Sequence, residues 1–177
     1  MLDITKLDPY VLKILQGQGW YPSRTYDISR WLDLLSQEGY VCFDYAEQVL
    51  GNLGGIYVND AGNKEHMSAQ FSFDPLYVSG EFDRLSDFQK HADEELYPIG
   101  QMVQAFAYVG KSKNFYWGYS GGFYWAGDSV EDYMNNLFDL EKKSKPLYIN
   151  PKGDKVTQTQ KEVMERLTQK YKKKWNI

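Results

Sequence analysis

The stretch of sequence that decides the fold lies between residues 102 and 125 and reads MVQAFAYVGKSKNFYWGYSGGFYW. Three runs within it, residues 102–109, 115–119 and 123–125, are rich in β-branched and aromatic residues, which favour strands. Turn-forming residues such as glycine, serine and asparagine separate these runs. The stretch therefore predicts a meander of antiparallel β-strands.

Upstream of this stretch the sequence predicts three helices followed by a strand, a turn and a second strand. Asp8 directly precedes a proline, and this pair favours a helix start because the carboxylate accepts an orphan amide hydrogen bond. Apolar residues at helical spacing predict a second helix near residues 27–39 and a third near residues 44–55. Residues 56–73 then change to the alternation that is typical of strands.

Two further helices frame the predicted meander. Residues 81–91 carry apolar side chains at three-residue spacing, which indicates a helix, and a loop follows it. A last helix of the body begins near Asp128 or Ser129, either of which could serve as its N-cap. The order of elements predicts an α+β fold with a mostly antiparallel sheet flanked by helices.

The end of the chain differs in composition from the rest. Residues 141–154 are rich in lysine, proline, asparagine and glycine, which is typical of a linker. Apolar residues then recur every four positions between residues 163 and 175, as in an amphipathic helix. We therefore predict a globular domain over residues 1–140, and a basic linker with a C-terminal helix over residues 141–177. The helix could pack on its own acidic body, dimerise, or contact a partner's nucleic acid substrate.

Charge divides the chain in the same way. Residues 1–140 contain 9 Lys and Arg residues against 20 Asp and Glu residues, a net charge of −11. Residues 141–177 contain 11 against 4, a net charge of +7, so the formal total is −4. An acidic body favours basic partners and disfavours direct contact with nucleic acid, although acidity also serves solubility alone.

Composition limits the class of protein. Hydrophobic residues make up 42% of the 177 residues, which is sufficient for one folded core. The single cysteine, Cys42, excludes an internal disulfide and a zinc site built from several thiolates. The acidic start of the sequence does not resemble a secretory signal, and no apolar run approaches the roughly 20 residues of a membrane span. We expect a cytoplasmic protein with no cofactor and no membrane partner.

Catalytic motifs are weakly represented. The string Gly118-Tyr119-Ser120-Gly121-Gly122 satisfies the pattern of a nucleophile elbow, which requires a strand before the serine, a helix after it and a histidine downstream. Strand-forming residues follow instead, and both histidines precede the serine. We therefore interpret the string as a glycine-rich hairpin turn. Neither histidine has a second ligand at helical zinc spacing, so we predict no metal site and no enzymatic activity.

Acidic residues form one group of candidate binding residues. Asp93, Glu94 and Glu95 lie in the predicted loop, where helix capping explains little of their presence. Glu131 and Asp132 lie in the first turn of the last predicted helix of the body, where carboxylates complement the helix dipole. We predict that these five carboxylates belong to a docking patch.

Aromatic residues form the second group. The aromatic content is 16%, and alternation along a strand sends about half of such side chains away from the core. We predict that Tyr116 or Trp117, together with Tyr119, points outward and anchors an interface through rigid apolar area and a polar tip. The same rings could instead stack on sugars or bases, so a glycan- or ligand-binding module remains an alternative.

The order of several motifs resembles the SUKH superfamily of bacterial immunity proteins, and its third subgroup most closely. The resemblance covers roughly residues 12–140 and rests on five segments in order: Gly19-Trp20-Tyr21-Pro22-Ser23-Arg24, residues 46–56 ending in Leu-Gly-Asn-Leu-Gly-Gly-Ile, Phe73-Asp74-Pro75, Pro98-Ile99-Gly100 and Gly127-Asp128-Ser129. The basic tail has no counterpart in the family pattern.

The resemblance implies an α+β domain that binds and neutralises a cognate polymorphic toxin, often a nuclease made by the same cell. Such a toxin needs a basic groove for phosphates, which an acidic body with projecting rings could occupy. We expect the protein to be a monomer or a weak homodimer. A small hydrolase built around Ser120 ranks last among the alternatives.

Overall fold

A computed structural model describes residues 2–103, 105–141 and 144–150 of the chain. Its helices are α1 (Pro9–Gly17), α2 (Ser29–Gln37), α3 (Asp44–Leu53), α4 (Phe82–Ala92) and α5 (Val130–Phe138). Its strands are β1 (Tyr57–Asp60), β2 (Ala69–Ser72), β3 (Leu96–Met102), β4 (Ala105–Gly110), β5 (Phe115–Tyr119), β6 (Gly122–Gly127) and β7 (Lys145–Ile149). The strands form one antiparallel sheet in chain order, with helices flanking it. The predicted α+β fold is confirmed.

Helix starts agree with the capping signals of the sequence. The Asp8 carboxylate accepts a hydrogen bond from the Tyr10 amide at 2.7 Å, at the start of α1. For α5 the N-cap is Ser129 rather than Asp128, because the Ser129 hydroxyl accepts the Asp132 amide at 3.1 Å. Each cap supplies a partner for an amide that has none within the helix.

Two predictions about strands are wrong. The sequence predicts one strand over residues 102–109, but the chain turns after Met102, so that β3 and β4 pair with each other. Residues 145–149 were predicted as part of the linker, but they form β7 at the edge of the sheet. Proline at 146 is compatible with an edge strand, since its missing amide breaks few ladder bonds there. The predicted C-terminal helix lies outside the described residues.

The two faces of the sheet pack against different helices. On one face the Phe88 ring of α4 stacks on Phe123 of β6 at 4.5 Å between ring centroids. On the other face Tyr133 of α5 stacks on Phe115 of β5 at 5.1 Å. Gly118 of β5 allows the close approach of α4, because a Cβ atom there would lie 2.6 Å from the Phe88 ring. The sheet therefore lies between two layers of helices, with α4 on one face and α5 on the other.

Candidate functional site

The acidic residues predicted for docking lie at one end of the sheet, which we name the carboxylate end. There β3 begins and β4 ends, since Leu96 pairs with Gly110, and β5 begins as β6 ends, since Phe115 pairs with Gly127. Residues 93–95 directly precede β3, and α5 directly follows β6. Topology thus places both acidic groups at the same end of the sheet.

Glu94 is a structural residue of the β4–β5 turn. Its carboxylate accepts the amide and the hydroxyl of Ser112, each at 2.7 Å, and the hydroxyl of Tyr116. Burial, and then the bond to Glu94, raises the pKa of Tyr116 above its usual range. The Glu94 carboxylate is therefore occupied by its own molecule.

The two acidic neighbours of Glu94 are more accessible. Asp93 is exposed and adopts a left-handed conformation, with φ of 57°, at the C-terminal end of α4. Glu95 forms an ion pair with Lys111 at 2.7 Å, and both side chains are more than half exposed. These two carboxylates remain at the surface of the carboxylate end.

Glu131 and Asp132 are used by the chain itself. Glu131 is 6% exposed and accepts the backbone amide of Asp3, so the expectation that its carboxylate is available at the surface is wrong. The Asp132 carboxylate accepts the Asp128 amide at 3.1 Å, while the Asp132 amide donates to Ser129. These two bonds resemble a capping box, except that the carboxylate accepts the amide of the residue before the N-cap, and they explain the acid at this position.

The strand register decides between Tyr116 and Trp117. Tyr116 is 3% exposed and stacks on Phe123, so an outward position for Tyr116 is wrong. Trp117 lies on the opposite face and stacks on Tyr124 of β6 at 4.0 Å and 12°. Tyr119 lies on the same face, with its ring 6.4 Å from that of Tyr124 and nearly parallel to it. We name Trp117, Tyr119 and Tyr124 the ring end.

A cleft of about 400 Å³ opens beside these rings, between α5 and the sheet, and we name it the aromatic cleft. Trp117 and Tyr119 line one side of it, and Tyr133 and Leu137 of α5 line another. No charged side chain is among the lining residues in the described part of the chain. Sequence reasoning found Trp117 and Tyr119 but missed α5 as the opposite wall, since alternation along a strand gives no information about which helix lies beside it.

A second cleft, of about 650 Å³, lies beside α4 on the other face of the sheet, and we name it the α4 cleft. Its lining combines rings and charges: Phe88, His91, Tyr119, Tyr148, Glu81, Asp83, Arg84 and Asp87, together with Gly80 and Ser120. Tyr119 therefore lines both clefts.

Charges in the α4 cleft are partly paired. Arg84 lies 3.1 Å from Glu81, and Lys90 lies 2.8 Å from Asp87 and lowers the pKa of that carboxyl. Sequence reasoning missed this acidic surface. The signal was present, since Asp83 and Asp87 stand four residues apart on a predicted helix and hence on one helical face.

The serine and histidine residues that were considered for catalysis or metal binding have other contacts in this fold. Ser120 lies in the turn between β5 and β6, and a strand follows it, as the hairpin interpretation predicts. His66 stacks on Tyr10 at 4.1 Å, and its Nε2 atom lies 3.3 Å from an Asp8 carboxylate oxygen. Among the described residues no group of three or more His, Cys, Asp or Glu side chains is placed to hold a metal ion.

No helix in the described ranges is long and apolar enough to cross a membrane.

The fold and the site define a class of protein: an α+β domain with a seven-stranded antiparallel meander, helices on both faces and rings exposed beside two clefts. Residues 7–139 match the SUKH-3 immunity protein family, and the chain belongs to this family. Membership supports an immunity function and implies a cognate toxin protein as the partner. No curated protein and no solved structure matches the chain.

Proposed function

We propose that the protein neutralises a bacterial toxin domain by binding to a basic surface of that domain, such as the phosphate-binding groove of a nuclease. Family membership supports the immunity function. The net charge of −11 over residues 1–140 supports a basic partner, because complementary potentials accelerate association. The mechanism needs no chemistry from the inhibitor, since an occupied groove cannot bind substrate.

The ring end is the docking surface that we favour. The observation that carries this choice is the position of Tyr119, which lines both clefts, next to the stacked pair of Trp117 and Tyr124. Partly exposed aromatic side chains with few rotatable bonds are the residues that most often dominate binding energy at interfaces. Trp117 and Tyr119 offer such an anchor on the wall of the uncharged aromatic cleft, and Tyr124 stacks on Trp117.

The acidic residues contribute to binding in a different way. Asp93 and Glu95 lie at the surface of the carboxylate end, whereas Glu94, Glu131 and Asp132 hold turns and helix ends in place. We therefore propose that Asp93 and Glu95 contribute to the electrostatic potential that steers the toxin, rather than to direct contacts in the interface. Tyr116 supports the interface from the opposite face of β5, by packing beneath the strand that carries Trp117.

The test uses the full chain and the toxin domain encoded by the neighbouring gene. We expect a complex whose association rate falls steeply with salt, as steering over a Debye length of about 8 Å requires. Trp117→Ala and Tyr119→Ala should each weaken affinity at least about tenfold, mainly through faster dissociation. Tyr21→Ala is the matched control, because Tyr21 is 54% exposed and lines neither cleft.

Two results would contradict different parts of this proposal. Absence of a complex with the toxin domain would refute the immunity mechanism. A complex that forms with unchanged affinity after Trp117→Ala and Tyr119→Ala would refute the ring end as the docking surface. Thermal unfolding of each variant establishes that it remains folded under the conditions of the binding measurement.

A second candidate function is a glycan-binding module. The observation in its favour is the uncharged aromatic cleft, since stacked rings in a concave site also suit sugars. Binding on a glycan array that Trp117→Ala abolishes, with no affinity for the neighbouring toxin domain, would favour this function over immunity.

A further inference from the structure

The α4 cleft combines an apolar floor with an acidic rim. Phe88, Tyr119 and Tyr148 contribute rings, and the stacked pair of His91 and Tyr148, 4.5 Å apart, closes one side. Three carboxylates line the cleft against the single guanidinium of Arg84, a net charge of −2, which becomes −1 with the Lys90 ammonium that pairs with Asp87. An occupant that suits this cleft is amphipathic, with an apolar stripe and basic flanks.

The described part of the chain ends at the mouth of this cleft. The Asn150 amide donates to the Gly121 carbonyl at 3.0 Å, and the Asn150 side chain donates to the Ser120 carbonyl at 3.2 Å. Tyr148, two residues before this point, lines the cleft itself. Residues 151–177 therefore begin beside the α4 cleft.

The sequence of residues 151–177 has the properties that the cleft requires. Val163, Leu167, Tyr171 and Trp175 are spaced as one stripe of a helix. The segment carries 8 Lys and Arg residues against 3 Asp and Glu residues, a net charge of +5. We propose that this segment of the same chain docks in the α4 cleft, with its apolar stripe on the rings and its lysines near Glu81, Asp83 and Asp87.

Distance and tethering both favour the same chain over a second copy. The residues between Asn150 and Val163 span up to about 40 Å when extended, which is ample for a site at the chain's point of exit. A short tether gives an effective concentration in the millimolar range, far above the micromolar concentration of a second molecule. The α4 cleft and the aromatic cleft lie on opposite faces of the sheet, and Tyr119 is a residue that both clefts share.

The experiment uses the full chain labelled with 5-fluorotryptophan, whose fluorine resonances report solvent contact at each of the five tryptophans. Trp175→Phe assigns the resonance of Trp175. We expect this resonance to show a reduced shift between H2O and D2O in the unmodified chain. The double variant Asp83→Lys with Asp87→Lys should restore the full solvent shift of Trp175 and leave the other four resonances unchanged. Asp27→Lys with Asp33→Lys is the control, since these acids lie at α2 and line neither cleft.

Each alternative outcome overturns the proposal. A full solvent shift for Trp175 in the unmodified chain would show that the segment does not dock. If Trp175 stayed protected from solvent after the double charge reversal, the segment would dock at a site other than the α4 cleft. Protection that disappears on dilution would identify a second copy of the chain as the occupant. None of these readouts depends on the toxin, so they leave the proposed function untouched.

Discussion

The two ends of the sheet use polar and aromatic residues in opposite ways. At the carboxylate end, Glu94 and Glu131 accept hydrogen bonds from their own chain, and Tyr116 is buried. At the ring end, Trp117 and Tyr119 face a cleft and contact mainly other rings. The contrast separates residues that hold the fold together from residues that are available to a partner.

An acidic cluster in a loop is therefore not by itself evidence of a docking patch. A tight turn leaves amides without partners, and a nearby carboxylate satisfies several of them at once. Substitutions of Glu94 and Glu131 should therefore change stability and leave toxin affinity intact, while those at the ring end should do the reverse.

The largest effect on stability is expected for Glu94→Ala. This change removes the acceptor of the Ser112 and Tyr116 bonds, and we expect a loss of about 3 kcal/mol in the free energy of unfolding. Glu95→Ala is the matched control and should cost less than about 1 kcal/mol, since its ion pair is exposed. Urea unfolding measures the free energy of unfolding of both variants. Equal losses would show that Glu94 is no more important to the fold than Glu95.

Glu131→Ala should have the next largest effect. The substitution leaves the partly buried Asp3 amide without its acceptor, which costs about 2 kcal/mol. Asp128→Ala, three residues earlier, should stay within about 0.5 kcal/mol, because its exposed side chain is not the cap of α5. If toxin affinity fell with Glu131→Ala at a temperature where the variant is folded, Glu131 would belong to the interface after all.

Tyr116→Phe should lower stability at neutral pH by about 1 kcal/mol, through the lost bond to Glu94. Its second effect depends on pH. Burial raises the pKa of Tyr116 in the folded state above the unfolded value of about 10, so folding is opposed as pH rises beyond that value. The variant should therefore show a shallower fall in the free energy of unfolding above pH 10. The free energy of unfolding is measured by urea unfolding at several pH values between 9 and 11. If it fell equally steeply with pH in the variant and in the unmodified protein, the burial of the hydroxyl would be contradicted.

The smallest effect is expected for Lys111→Ala. Its ion pair with Glu95 joins two side chains that are more than half exposed, so the loss should be at most about 0.5 kcal/mol and should shrink with added salt. Removal of one positive charge also makes the carboxylate end more acidic. The association rate with a basic toxin should rise slightly, and a fall would argue against steering by this region.

The sequence was sufficient for the elements whose local signals agree. Asp8 and Ser129 cap their helices because short polar side chains accept amide hydrogen bonds at helix starts, wherever the helix packs. The β5–β6 hairpin followed from strand formers on both sides of a glycine-rich turn. In these cases neighbouring residues alone determine the conformation.

The remaining features depend on contacts between distant parts of the chain. β3 begins at Leu96, ahead of the predicted run, and it tolerates Pro98 because β2 pairs with β3 only at residues 101 and 102, so no β2 backbone lies beside the proline. The sequence of β7 has the composition of a linker and becomes a strand through pairing with β6. The role of Glu94 depends on Tyr116, 22 positions away in the chain. Composition and periodicity contain no information about these partners.

The order of the strands has a consequence for how the protein is made. Every strand pairs with its neighbour along the chain, so the strand pairs can form in order as the chain leaves the ribosome. The N-terminal segment illustrates the contacts that form later, because Asp3 and Asp8 bond to residues of α5 and must wait for its synthesis. The contacts of the N-terminal segment are thereby tied to the emergence of α5, and the sheet is completed later still, when β7 pairs with β6.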